Sequence, residues 1–280
     1  MSKRTAQVAA GTAVIGAALL CAALGARLAP HDPLRYDARS TLRAPSRAHL
    51  LGTDPLGRDV LSQVITGARV SMVVGVVSVI VGMAAGTAVG LLAGTSRGHA
   101  AGLLMRAMDA LLVFPSLVLA LAITAFLGVS LWNVIVALAV TFLPTFAILV
   151  RGEVLSLRER EFVTAAWALG SHRARVMWRH LLPNVGDVLL VQASFGVGTA
   201  ILTEASLSFL GLGVPPPVLS WGRMLREGYS YLLLAPWISV ASGAAIFLVV
   251  LAFQMLADGL QDALARRARG RATPRESRKG

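Results

Sequence analysis

The chain reads as an all-α integral membrane protein with about six transmembrane helices. Three observations carry that reading. Only 14% of its 280 residues are charged and 56% are apolar, whereas a soluble domain carries about 25% charged residues. Mean hydropathy is +0.70. Uncharged runs of the length that crosses roughly 30 Å of hydrocarbon recur along the whole sequence.

The first run is Thr5 to Ala26, 22 residues without a charge. Lys3 and Arg4 ahead of it, and Gly25-Ala26 at its end, resemble a secretory signal. The run exceeds the 7–15 residues of a signal core, and Leu20-Cys21 lacks the small residue that a lipoprotein cleavage site places before cysteine. It is therefore read as an anchor. The second span is Val70 to Ser96. The stretch from Ala110 to Val150 has 41 uncharged residues, too many for one span, and Gly128 to Asn133 supplies a turn that splits it into a third and a fourth. A fifth runs from after Asp187 to about Ala205, and a sixth from Pro236 to Ala257. The chain then divides into an anchor and external segment at 1–66, a transmembrane domain of five spans at 67–262 and a basic tail at 263–280.

Net charge is +12, from 24 Arg, two Lys and 14 acidic residues. The basic residues fall in blocks between the apolar runs, so topology accounts for them and nucleic-acid binding does not. With the N-terminus in the cytoplasm, 17 of the 26 basic residues lie inside, including six between Arg151 and Arg179 and seven in the tail. Arg27 and the segment from Pro30 to Arg69 hold seven of the remaining nine, an exception partly offset by Asp32, Asp37, Asp54 and Asp59. Both termini are accordingly expected inside. Cys21 is the single cysteine, which excludes a disulfide framework and a thiolate metal cluster.

Within the spans, Gly82, Gly86, Gly90 and Gly94 recur every four residues. They share one helix face and make a groove that another backbone can approach. Asp109 and Asp258 sit near span ends. Glu204 lies near the external end of the fifth span, and because a carboxylate within a span is costly two readings stay open: an interhelical or interfacial bond, or the lining of a substrate path.

The usual nucleotide and catalytic motifs are missing. A P-loop needs a lysine after its glycine turn, and the only lysines are Lys3 and Lys279. Gly94-Thr95-Ser96-Arg97-Gly98 matches the pattern of a hydrolase nucleophile elbow but stands at the end of an apolar helix, not between a strand and a helix. The five histidines form no zinc-type spacing. Neither an enzyme nor a bound cofactor is expected.

The most specific segment is the loop at 151–184. Glu161 to Leu169 reads as a short helix in which Phe162, Ala165, Ala166 and Leu169 follow i, i+3, i+4, i+7 spacing. Gly170 can take a positive φ just past its end, Ser171 can cap a second helix, and Pro183 stops or kinks that helix near Asn184. An apolar stripe on a helix–corner–helix loop implies a docking partner.

Glu161-Phe-Val-Thr-Ala-Ala-Trp-Ala-Leu-Gly170, followed by Arg179-His-Leu-Leu-Pro-Asn184, resembles the cytoplasmic coupling motif of ABC importer permeases. Leu51-Gly-Thr-Asp-Pro-Leu-Gly-Arg-Asp-Val-Leu61, Leu207 to Gly213 with Ser220-Trp-Gly222, Tyr231 to Trp237 and Asp258 to Ala263 are similar to the C-type second permease of the dipeptide/oligopeptide/nickel branch. The likeness runs from about residue 30 to 265. It implies a type I importer transmembrane domain, a permease subunit for peptides or nickel, and a coupling site at Glu161, Phe162, Thr164, Ala165, Ala166, Leu169 and Gly170. The partners it implies are a second homologous permease, two ATPase subunits or a fused pair that bind ATP and Mg, an extracytoplasmic solute-binding protein and the lipid bilayer. Thr164 stands where the motif has the Glu of Glu-Ala-Ala, so the apolar docking and the Gly170 corner carry over, while the motif's ion pair stays open, with Glu161 one turn earlier as the other source of charge. A self-sufficient secondary transporter or channel is the rival reading, for which the sequence offers no internal repeat and few mid-membrane ionisable groups for proton coupling.

Overall fold

The computed structural model describes residues 3–96 and 98–272, with side-chain environments for 7–96 and 98–266. Of the bases that set the expected orientation, Arg97 and the tail from 273 onward lie outside the described residues. Ten α-helices account for most of the rest: α1 (Lys3–Leu28), α2 (Val60–Thr95), α3 (His99–Leu112), α4 (Ser116–Leu127), α5 (Leu131–Arg158), α6 (Glu161–Ala168), α7 (Arg173–Val176), α8 (Leu182–Phe209), α9 (Trp221–Tyr229) and α10 (Pro236–Ala272). A π-helical turn, Met177–Leu181, joins α7 to α8.

Among the described residues five helical stretches are long and apolar enough to span a membrane, and the bent pair α3–α4 brings the number to six where it is counted as one broken span. The count agrees with the sequence, but the third span is not the single helix expected from Ala110. It starts at His99, breaks at Val113 to Pro115 and turns by 92° into α4. The cause is local: the residue before a proline is pushed out of the helical region, and Pro115, at ψ 131°, acts as the N-cap of α4.

The second span also begins earlier than its uncharged run. Asp59 caps α2 by accepting from the Ser62 N–H at 2.9 Å, so the helix has 36 residues and a length of about 54 Å. The division drawn between residues 66 and 67 falls inside α2. The fifth and sixth spans likewise continue beyond their expected ends, to Phe209 and Ala272.

The bundle closes around α2, which packs against α1, α5 and α8, while α10 covers α1, α8 and α9. Met72 and Val79 of α2, Phe146, Val150 and Val154 of α5, Val197 and Ile201 of α8, and Phe253 of α10 form one buried cluster. The α2–α5 seam is the tightest. A Cβ on Gly82 would stand 2.8 Å from the Ala139 carbonyl oxygen, one on Gly86 2.5 Å from that of Leu143, and one on Gly90 2.6 Å from that of Ala147. At Gly94 it would meet Val154 Cγ1 at 2.6 Å. Glycine is what lets the two backbones lie that close.

At the end of the bundle opposite the α5–α7 loop, the segment between α1 and α2 folds back over α9 and α10. The Trp237 indole N–H donates to the Thr53 carbonyl at 3.1 Å. Arg58, 8% exposed, pairs with Asp54 and with Glu227 of α9. Charges this deep are tolerated because each has a hydrogen-bonded partner.

Candidate functional site

The loop between α5 and α8 forms a helix–corner–helix turn. Glu161 sits in the first turn of α6, where a negative charge suits the helix dipole. At the other end Gly170 has φ +76°. Its N–H donates to the Trp167 carbonyl at 2.9 Å and the Ser171 N–H donates to the Ala166 carbonyl at 3.0 Å. These two reversed bonds define a Schellman stop, which satisfies carbonyls that α6 would leave unpaired. The expected cap moves by one residue: His172, not Ser171, caps α7, its ring nitrogen accepting from the Ala174 N–H at 3.4 Å.

Pro183 does not stop the second helix either. It stands in the first turn of α8, directly after the π turn, in which the Leu182 N–H reaches back to the Met177 carbonyl. The widened turn takes up a residue that has no N–H and whose ring crowds the preceding carbonyls. Residues 173–209 therefore run as one continuous 37-residue stretch that joins the corner to a membrane span.

The stripe expected on α6 divides between two faces. Val163 and Ala166 are 0% and 8% exposed and join the core with Val154, Leu157, Val176 and Leu181. Phe162, Ala165 and Leu169 face outward; Leu169 is 87% exposed and Phe162 41%. Trp178, on the π turn, is 69% exposed, and the Phe162 ring lies 6.3 Å from that of His180. Glu161 and Thr164 are exposed as well, and the Thr164 hydroxyl donates back to the Arg160 carbonyl at 3.0 Å. The outward apolar residues and the bases Arg160, Arg175 and Arg179 form a convex surface of mixed character.

Two residues that the sequence showed only as charges fix this corner to the bundle. Arg173 donates to the Leu92 carbonyl at 3.1 Å, to Thr95 Oγ1 at 2.9 Å and to Ser96 Oγ at 2.6 Å. Arg158 donates to the Gly94 carbonyl at 2.9 Å. Both target the last turn of α2, where the carbonyl end of the helix carries partial negative charge; the Leu92 carbonyl also accepts the Ser96 N–H at 3.0 Å. The two ends of the loop are thus tied to the helix that organises the bundle. No sequence pattern marks an arginine whose acceptors lie 64 or 81 residues away.

Glu204 is fully buried between α2, α8 and α9. Ser208 Oγ donates to its Oε1 at 2.7 Å and Ser71 Oγ to its Oε2 at 3.4 Å. Ser71 in turn accepts the Trp221 N–H at 3.2 Å, and Ser220 caps α9 beside Ser208. The geometry is that of an interhelical hub; a path-lining role needs an exposed carboxylate, which this conformation does not give.

The fold defines a multi-pass helical membrane protein with an exposed helix–corner–helix loop at one end. The family described as binding-protein-dependent transport system inner membrane component matches residues 86–270. The glutathione transport system permease protein GsiD of Pectobacterium atrosepticum is 44% identical over 238 residues, 85% of this chain and 79% of the relative. GsiD of Escherichia coli O157:H7 is 43% identical over 254 residues, 90% and 84% of the two chains. The dipeptide transport system permease protein DppC of Alkalihalophilus pseudofirmus is 41% identical over 254 residues, 91% and 84%. The chain belongs to the family of binding-protein-dependent transport system inner membrane components, the membrane permeases of ABC importers. It is a translocation subunit and not itself an enzyme.

Proposed function

We propose that this permease forms half of a translocation path for small peptides, of the size the relatives' names denote, and that it takes its power stroke at the α6 corner. The other half is a second homologous permease. Two ATPase subunits, or a fused pair, bind ATP and Mg and seat Phe162, Ala165 and Leu169 in an apolar socket, while Val163 and Ala166 hold α6 to its own bundle. An extracytoplasmic binding protein delivers cargo to the opposite end, over the segments at 30–69 and 205–235. The corner and both termini are then cytoplasmic, in keeping with the 17 of 26 bases on that side.

The observation that carries the reading is the pairing of an exposed apolar knob with stiff attachment. Leu169 is 87% exposed one residue before the Gly170 stop, and Arg173 ties the next helix to α2. A solvated loop has no use for that combination, whereas a lever needs both halves of it.

Phe162→Asp tests the reading directly. It places a charge in the socket and leaves the buried side of α6 untouched, so the permease inserts normally, co-purifies with less ATPase and loses uptake in proteoliposomes. Wild-type ATPase recovery and uptake would count against the docking surface. Uptake by the chain alone, without ATPase subunits, would restore the secondary-transporter reading.

A further inference from the structure

The geometry points to a divalent-cation site of the zinc class at the outer end of the bundle, made by His31, His49 and Asp59. The three come from separate places: His31 follows α1, His49 lies in the loop beyond it and Asp59 is the N-cap of α2. Their ligand atoms nevertheless all lie within 4.8 Å of one another. His49 Nδ1 is 3.0 Å from Asp59 Oδ1, and His31 Nδ1 is 3.7 Å from Asp59 Oδ2.

Zinc takes imidazole nitrogens and carboxylate oxygens at about 2.0–2.2 Å in a tetrahedron, which sets neighbouring ligand atoms about 3.3 Å apart. The two observed separations, one to each oxygen of the Asp59 carboxylate, lie on either side of that value. The wider gap, between the imidazoles, closes by rotation of His31, whose side chain is 45% exposed and whose backbone N–H is held by Ser62 Oγ at 3.0 Å. His49 and Asp59 are already fixed, at 18% and 2% exposure.

Asp59 is also oriented from behind, since Ser62 donates to Oδ2 through its N–H and, at 2.6 Å, its hydroxyl. Such outer bonds fix the orientation of a ligating carboxylate. The remaining coordination position faces a cavity of about 520 Å³, lined also by Asp32, Tyr36, Asp37 and two arginines, Arg35 and Arg39. A hydrogen bond alone accounts for one histidine on Asp59. The second imidazole stands tilted against the first, with ring centres 4.9 Å apart and 37° between planes, and its Nδ1 lies 3.7 Å from Asp59, beyond hydrogen-bond reach. A bound ion would clip the segment after α1 to the head of α2.

The test uses the full-length permease co-purified with its partner subunits, stripped with chelator and titrated with Zn²⁺ and with Co²⁺ as a spectroscopic probe. One equivalent binds, Co²⁺ gives the intense visible bands of a tetrahedral site, and thermal stability rises with Zn²⁺. His31→Gln, at the exposed ligand, leaves the fold intact and weakens binding by more than the roughly 10- to 100-fold that losing an outer-shell partner costs. His99→Gln, on α3, binds as the parent does. Absence of a stoichiometric site, or Zn²⁺ affinity unchanged in both His31→Gln and His49→Gln, would overturn the assignment and leave the pair as a hydrogen-bonded helix cap.

Discussion

Replacing Gly170 by alanine isolates one physical quantity at the corner. The residue has φ +76°, and a Cβ built there meets no atom within 4 Å. Packing therefore contributes nothing, and the cost is the left-handed backbone itself, about 1–2 kcal/mol for an L-residue with a side chain. Because the strain falls at the stop that ends α6, that energy is spent locally, opening the Ser171–Ala166 and Gly170–Trp167 bonds. One to two kcal/mol lowers the ratio of correctly bent to splayed corners by about 5- to 30-fold. Asparagine, which tolerates the left-handed region, should cost less than alanine; valine, branched at Cβ, should cost more; and proline, confined to negative φ, abolishes the bend. With the full importer in proteoliposomes, uptake per ATP hydrolysed should fall in the order Gly, Asn, Ala, Val, Pro while membrane insertion and yield stay constant. Equal coupling in all five, or a loss that follows side-chain volume and not φ, would refute the reasoning.

Gly86→Ala drives a Cβ to 2.5 Å from the Leu143 carbonyl and 2.7 Å from Phe146 Cβ. Overpacking of that kind costs about 1–3 kcal/mol and should lower the melting temperature in detergent, whereas Gly102→Ala, with nothing within 4 Å, should not. Glu204→Gln keeps acceptor and donor for Ser71 and Ser208 and should be tolerated. Glu204→Leu leaves those buried hydroxyls short of a partner, at about 1–3 kcal/mol each, and should lower thermal stability; equal stability of the two variants would argue against the hub. Arg173→Met removes the donors to Leu92, Thr95 and Ser96. It should retain ATPase binding but cut uptake per ATP, a split that co-purification and transport assays separate.

Much of the membrane architecture was legible because hydrocarbon imposes length and apolarity on any helix that crosses it. The runs at 5–26, 70–96 and 236–257 each lie almost wholly within one observed helix. The glycine stripe was equally legible, since a four-residue period puts Gly82 to Gly94 on one face whatever they meet. Gly170 was legible for a similar reason: an apolar helix followed by Gly leaves little choice of stop, and the positive φ followed. The third span was not, because the bend at Pro115 lies inside an uncharged run and hydropathy is blind to backbone direction. Pro183 misled for the converse reason: a π turn absorbs it, and that turn is stabilised by packing that no local pattern reports.

The sequence by itself determined that this chain lives in a membrane, roughly where it crosses, and that one polar loop carries an apolar knob, since each of these depends on local composition and period. Only the tertiary structure decided which side of α6 is buried, that Arg158 and Arg173 grip the end of α2, that Glu204 is bonded among three serines, and that His31, His49 and Asp59 meet. Apart from the Glu204–Ser208 bond, four residues apart, these contacts join residues from 10 to more than 130 positions apart, and side-chain hydrogen bonds of that range are set by how the helices pack and not by any signal along the chain.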